Sequence, residues 1–573
     1  MTRIRQALVL AILFIATPAF ALNHELVLPP IAAGTYTVAC SNLEQDVRLL
    51  APGTSPSDYW EGRLVNDQQL YVTQILSHPE TAIRFDPLVP DDRSIYPNTA
   101  NTRVPFVAIV CHPTSRNNTA PDYPLPGGVG VIPHMQPAGQ PPNLIGESEY
   151  RQSPLTFNEE PAARLPLIVY SHGLGGSPIG KGYIETMVAL AAHGYMVAAV
   201  FHADARFSRL RIENLSDFFY LLTQYDRVAE MELMRPVALK AMTDVLLAHP
   251  YFKFGIDPDR IAGFGASLGG QAMLNLMGAK MTTSIGLACR ETVRDPRIKV
   301  GVGFVTYSGQ TFLPAFCNDQ SGADLVDRPF LTLAGTADTT APLRVTQQAI
   351  NRLKGSRFLV ELVDGEHELR AEDIGDLFTW MITFYRAYLQ GDAAAMASFI
   401  RMRGVIGGRE DNLKIDAHVP TQFAAGEMRV TETSNGDRFF LATTNAEIDS
   451  LRAAGWLVTG HSFKAWSAIP ASATTNCHFL SAFVTSGDIY RPCGFAKRLG
   501  RWTFDEAGGF FIEKADAAGN CAPGLLQVNR LYQPRYALSR TIPSERQVTS
   551  DSAARESVAN GWILVPATMC ARP

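Results

Sequence analysis

The sequence predicts an α/β protein with a mostly parallel central sheet, followed by a smaller, disulfide-stapled β-rich C-terminal module. Three observations predict it. From Leu165 onward, apolar runs bounded by loops alternate with helical stretches, the pattern of strands buried on both faces and joined by crossover helices. One of these runs leads directly into a serine flanked by glycines and then into a helical stretch. Beyond Met428 the texture changes to aromatic clusters, Gly-Trp turns and four of the eight cysteines.

At 573 residues the chain exceeds one typical core, so two or three domains are expected. A net charge of -5, with both signs mixed along the chain, supplies no basic stripe, so nucleic acid is not an expected partner. The chain opens as a signal peptide spanning 1–21: Arg3 and Arg5 form a charged region, Ala7 to Ala16 an apolar run, and Ala19-Phe20-Ala21 a small-residue cleavage site. That run is shorter than the roughly 20 residues a membrane span requires, so export, to the periplasm or outside the cell, is expected rather than anchoring.

A catalytic domain is expected over 22–400. It begins with short strand-like runs, Tyr36 to Val38 and Val104 to Val110, as an antiparallel start to the sheet, among Pro- and Gly-rich loops such as Pro124 to Pro142. The parallel strands follow at Leu167 to Tyr170, Met196 to Val200, Ile261 to Phe264, Val300 to Val305, Phe330 to Ala334 and Phe358 to Val363. Arg206 to Pro250 reads as two helices that pack on the sheet or form a wall of the substrate cleft. The pattern ends with a helix around Asp373 to Leu389, a linker is expected over 401–427, and the C-terminal module over 428–573. In that module Phe439-Phe440-Leu441, Glu447 and Gly455-Trp456 are echoed by Tyr532, Glu545 and Gly561-Trp562, with a divergent copy reaching Trp502. The even cysteine count in an exported chain predicts disulfides: Cys40 with Cys111, Cys289 with Cys317, and two bridges among Cys477, Cys493, Cys521 and Cys570.

Gly265-Ala266-Ser267-Leu268-Gly269 matches the G-x-S-x-G turn that lifts a serine between a strand and a helix, and the flanking segments supply both elements. Serine needs a base, and the base a carboxylate to orient it. Two later strands run into loops carrying Asp338 and His367, which fits the chain order serine, acid, histidine. His367 is the one histidine after Ser267 within the α/β region; Asp364 and Glu366 rival Asp338 but adjoin the histidine in sequence. The backbone N–H groups of Leu268 and of Leu174, in the Gly-rich turn Ser171 to Gly176, are the candidate oxyanion donors. Metal-ligand spacing, a phosphate-cradling loop and a dinucleotide fingerprint do not appear in a suitable context, so the chemistry is expected to need no cofactor.

At these residues the chain resembles the secreted esterase branch of the α/β hydrolases, which includes bacterial relatives of platelet-activating-factor acetylhydrolase, dienelactone-hydrolase-like proteins and polyester hydrolases. The resembling stretches are Tyr170 to Gly175, Leu190 to Val197, Asp257 to Ile261, and the Asp338 and His367 loops. The resemblance covers about Gly34 to Leu389 and implies an α/β-hydrolase fold and ester hydrolysis. It departs in two places. The acetylhydrolases proper look as if they take their acid from the strand after the serine, but Val300 to Ser308 contains no carboxylate, which leaves Asp338. Dienelactone hydrolases use cysteine where this chain has Ser267. The C-terminal module resembles an aromatic repeat appended to bacterial secreted hydrolases, which implies attachment to a polymer, glycan or cell surface, or stabilisation of the catalytic domain.

The expected activity is therefore hydrolysis of carboxylic esters, polyester or lipid-like esters included, through an acyl-enzyme formed on Ser267. Activity should fall in acid, where a protonated His367 cannot accept the serine proton. The alternatives are a secreted serine peptidase of the same fold, separated by peptide against ester substrates, and a binding or adhesion protein on a hydrolase scaffold.

Overall fold

The computed structural model describes residues 25–137, 140, 144–145, 164–180, 182–210, 215–420, 423–436, 438–468, 476–484, 487–491, 498–499, 502–503, 509–533 and 545–573. The expected signal peptide lies outside them. Among the described residues no helix is long and apolar enough to cross a membrane.

Ten strands form the first sheet among the described residues. In chain order they are β1 (Thr37–Cys40), β2 (Ile83–Phe85), β3 (Phe106–Thr114), β4 (Leu165–Ser171), β5 (Met196–Val200), β6 (Ile256–Ala266), β7 (Ile298–Phe304), β8 (Phe330–Gly335), β9 (Arg357–Leu362) and β10 (Asp411–Ala417). Their spatial order is β1-β3-β5-β4-β6-β7-β8-β9-β10, with β2 beside β3. From β5 to β9 every pairing is parallel, and at both margins the pairings are antiparallel. The six apolar runs read from the sequence each fall on one of these parallel strands, with Val305 and Val363 one residue past the strand end.

Side chains that alternate along each strand enter two different cores. Leu165, Leu167 and Val169 of β4 face one cluster with Met196, Ala198 and Val200 of β5, while Ile168, Tyr170, Val197 and Ala199 face the other. The first core is closed by helices Tyr225–Ala248 and Leu268–Leu276, the second by Tyr183–Ala192 and Ala371–Tyr388. Apolar on both faces, the central strands read as continuous hydrophobic runs, which is why they were visible in the sequence. Arg206 to Pro250 does hold two helices, Leu215–Thr223 and Tyr225–Ala248.

Two differences from the expectation concern the C-terminal third. The stretch expected as a linker contains β10, which pairs antiparallel with β9 and completes the first sheet. Its burial pattern is broken by the exposed Asn412 and Lys414, so it lacks the apolar run that marks a central strand. Beyond it lies a second sheet, in which two stretches share one connection pattern of hairpin, helix and returning strand. The first comprises Glu427–Ser434, Phe439–Ala442, helix Asn445–Ala453 and Leu457–Trp466; the second comprises Leu526–Tyr532, Glu545–Val548, helix Asp551–Ala559 and Ile563–Ala571. Gly455 and Gly561 end the two helices at φ +85° and +86°, and the tryptophans that follow are buried against their own helix. The Gly-Trp pairs therefore occupy equal places, whereas Glu447 and Glu545 do not. Glu447 closes a capping box with Thr444, and Glu545 is a strand residue paired with Arg530.

Disulfides join Cys40 to Cys111, Cys289 to Cys317 and Cys521 to Cys570. The first links registered partners on β1 and β3. Cys493, and with it the second bridge expected among the last four cysteines, lies outside the described residues.

Candidate active site

Each candidate residue stands just beyond the C-terminal end of a parallel strand: Leu174 after β4, Ser267 after β6, Asp338 after β8 and His367 after β9. Parallel strands end on one edge of the sheet, so four loops distant in sequence converge.

At Ser267 the chain leaves β6 and enters helix Leu268–Leu276 with φ 53° and ψ -118°, a conformation that costs a non-glycine residue about 1–3 kcal/mol and is held only by its surroundings. The flanking glycines make room for it. A Cβ on Gly265 would come within 2.2 Å of the Gly269 carbonyl carbon, and one on Gly269 within 1.9 Å of the Ser171 carbonyl oxygen. Strand, turn and helix thus touch backbone to backbone, which explains glycine at both positions.

Ser267 Oγ lies 2.8 Å from His367 Nε2, and His367 Nδ1 lies 2.8 Å from Asp338 Oδ2. The other carboxylate oxygen of Asp338 accepts the N–H groups of Thr340 and Ala341, each at 2.8 Å. The carboxylate is buried, while the imidazole is 26 % exposed. Of the rival acids, Glu366 pairs with Arg370, and Asp364 is held at its backbone N–H by Thr336 Oγ1. Neither reaches His367.

Leu268 and Leu174 offer their backbone N–H groups to no protein acceptor among the described residues. The Leu174 turn faces the serine, since a Cβ on Gly173 would stand 3.5 Å from Ser267 Cβ. Beneath this turn lies a buried polar cluster that sequence reasoning missed. Arg235, 1 % exposed, pairs with Asp204 through Nε–Oδ1 at 3.0 Å and Nη2–Oδ2 at 2.5 Å. Burial, with the Arg235 charge as second cause, holds His172 down to about 4 and therefore neutral, its Nδ1 2.8 Å from the Gly173 carbonyl. His202, driven well below its ordinary value by the same burial, contacts Ser171 Oγ at 2.9 Å. Under the serine's helix, burial pushes the Glu232 carboxyl up to about 7, and it accepts from Gln271 Nε2 at 3.1 Å. The available signal was the pair of charges, Glu232 and Arg235, inside the otherwise apolar stretch Met231 to Val237, because a buried charge must find a partner.

The fold is a mostly parallel α/β sheet with the candidate residues gathered where its strands end. Residues 150–210 match the family described as platelet-activating factor acetylhydrolase, isoform II, over about one-tenth of the chain. The described part of that match carries β4, the Leu174 turn, helix Tyr183–Ala192, β5 and Asp204. The similarity points to a hydrolase of the serine esterase or lipase type. No curated protein matches the chain.

Proposed function

We propose that this chain is an exported serine hydrolase that cleaves carboxylic esters through a covalent acyl-enzyme. The observation that carries the reading is the unbroken line from Ser267 Oγ through His367 to Asp338, both links 2.8 Å, beside two unengaged backbone N–H groups. In this reading the Ser267 oxygen attacks the acyl carbonyl as its proton passes to His367 Nε2, and Asp338 stabilises the imidazolium and fixes its orientation. The carbonyl oxygen, now an anion, is met by the N–H groups of Leu268 and Leu174. The imidazolium returns the proton to the departing alcohol; water then attacks the acyl-enzyme by the same route, and the carboxylic acid leaves.

Apolar acyl or alcohol groups, lipid-like or polyester, are the substrates we infer. Exposed Phe219 and Leu222 lie in the segment after β5, and exposed Phe312 in the loop after β7, both segments leaving the edge that carries Ser267. The catalytic unit in this reading runs through β10, with the second sheet an appended module for attachment to a polymer, glycan or cell surface.

The test compares the purified mature chain with Ser267→Ala on p-nitrophenyl acetate and butyrate, with a fluorophosphonate probe on both. Turnover and labelling of the wild type, both lost in the variant, are expected. A folded wild type with neither would overturn the reading in favour of a binding role, and turnover of peptides in preference to esters would reassign it to a peptidase.

A further inference from the structure

Given the serine-hydrolase reading, on which this inference rests, we propose that the buried Arg235–Asp204 pair is a positioning device that aims the Leu174 N–H at the oxyanion. Every N–H of the Arg235 guanidinium is committed. Besides the two bonds to Asp204, Nη1 reaches the His172 carbonyl at 2.5 Å and Ser171 Oγ at 3.2 Å, and Nη2 reaches the Gly173 carbonyl at 3.0 Å. Asp204 in turn accepts the Gly175 N–H at 3.2 Å through Oδ2.

The consequence lies in peptide geometry. The Gly173 carbonyl and the Leu174 N–H belong to one planar trans peptide and point in opposite directions, so holding the oxygen fixes the hydrogen. That oxygen is held by Arg235 and also accepts from His172 Nδ1 at 2.8 Å and the Gly176 N–H at 3.2 Å. On either side, the Gly173 N–H goes to Tyr183 Oη at 3.1 Å and the Gly175 N–H to Asp204. From Gly173 to Gly176 the Leu174 N–H alone is left for a ligand, among the described residues. A Gly-rich turn would otherwise sample many orientations, and a donor that must reorganise during the reaction loses most of its value. Planar, always charged and with five donors in a fixed fork, arginine can hold two successive carbonyls and a carboxylate at once, which lysine cannot.

The test uses Asp204→Asn and Arg235→Lys in the full mature chain, each checked by thermal unfolding. It reads kcat and KM for p-nitrophenyl butyrate, the pH profile of kcat, and inhibition by an alkyl trifluoromethyl ketone, whose tetrahedral adduct on Ser267 carries the oxyanion. In both variants kcat is expected to fall by roughly 10²-fold, and ketone affinity by a similar factor, with KM and the acid limb of the profile unchanged. A loss of packing alone would leave ketone affinity and kcat in no fixed relation. Variants that fold and keep wild-type kcat and ketone affinity would overturn the proposal. So would failure of both variants to fold, which would make the pair a requirement of folding. A wild type that neither turns over esters nor labels at Ser267 would instead sink the underlying reading.

Discussion

Gly269→Ala sets two effects of opposite sign against each other. Gly269 is the second residue of helix Leu268–Leu276 and has no positive φ, so in an open helix alanine would be preferred by about 1 kcal/mol. Here the new Cβ would lie 1.9 Å from the Ser171 carbonyl oxygen, 2.6 Å from the Ser171 carbonyl carbon and 2.9 Å from the His172 carbonyl oxygen. Ordinary contact begins near 3.5 Å, so the serine's helix and the Leu174 turn must separate by roughly 1.5 Å. The obstacle is backbone, and the His172 and Gly173 carbonyls that adjoin Ser171 are held by Arg235, so it cannot yield as a side-chain tip would. Overpacking of this kind costs about 1–3 kcal/mol, which equals or exceeds the helix-propensity gain. A displacement of about 1 Å between nucleophile and oxyanion donors costs on the order of 10²-fold in rate. The assay is kcat on p-nitrophenyl butyrate together with the urea unfolding midpoint. Gly286→Ala serves as control, because its nearest neighbour would be at 3.7 Å and its φ is not positive. If Gly269→Ala retained wild-type kcat and midpoint, the backbone contact between the serine's helix and the Leu174 turn would be wrong.

Three further predictions follow from the same structure. In Asp338→Asn the amide oxygen can still accept from Thr340 and Ala341, while its NH2 faces His367 Nδ1 and moves the imidazole proton to Nε2; kcat should drop by about 10³–10⁴-fold with unfolding unchanged, and a smaller than tenfold loss would remove Asp338 from the line. His112 and His172 are almost wholly buried and are pushed by burial from 6.5 to about 4. Folded, they stay neutral where the unfolded chain takes up protons, so their contribution is complete above pH 6.5 and is lost as pH falls toward 4; each accounts for at most about 3 kcal/mol, and urea midpoints that do not decline from pH 7 to pH 4.5 would contradict this. Asp416 on β10 accepts from the Asp551 and Ser552 N–H groups at the start of helix Asp551–Ala559 and from Ser550. Asp416→Ala should therefore destabilise the second sheet by about 1–2 kcal/mol and speed proteolytic release of the C-terminal region while ester turnover persists; unchanged proteolysis would show that this anchor is not needed.

What the sequence determined by itself is what short-range pattern carries. The central strands are apolar on both faces and bounded by loops, so Leu167 to Tyr170, Met196 to Val200 and Phe330 to Ala334 stand out as runs. The glycines around Ser267 and the strand-to-loop junctions at Asp338 and His367 follow from local rules, and so were legible as candidates with their order along the chain. Tertiary structure alone decided the rest, because it depends on partners far apart in sequence. β10, broken by the exposed Asn412 and Lys414 and short of an apolar run, is a strand only because β9 offers it an edge. Gly-Trp pairs could be matched from sequence, but the places of Glu447 and Glu545 depend on which element each falls in. Arg235 lies 31 residues from Asp204 and 63 from His172, and its charge within a helix gives no hint of which carbonyls it holds. A buried charge signals that a partner exists; only packing says which one, and here the partner is the turn that offers the Leu174 N–H.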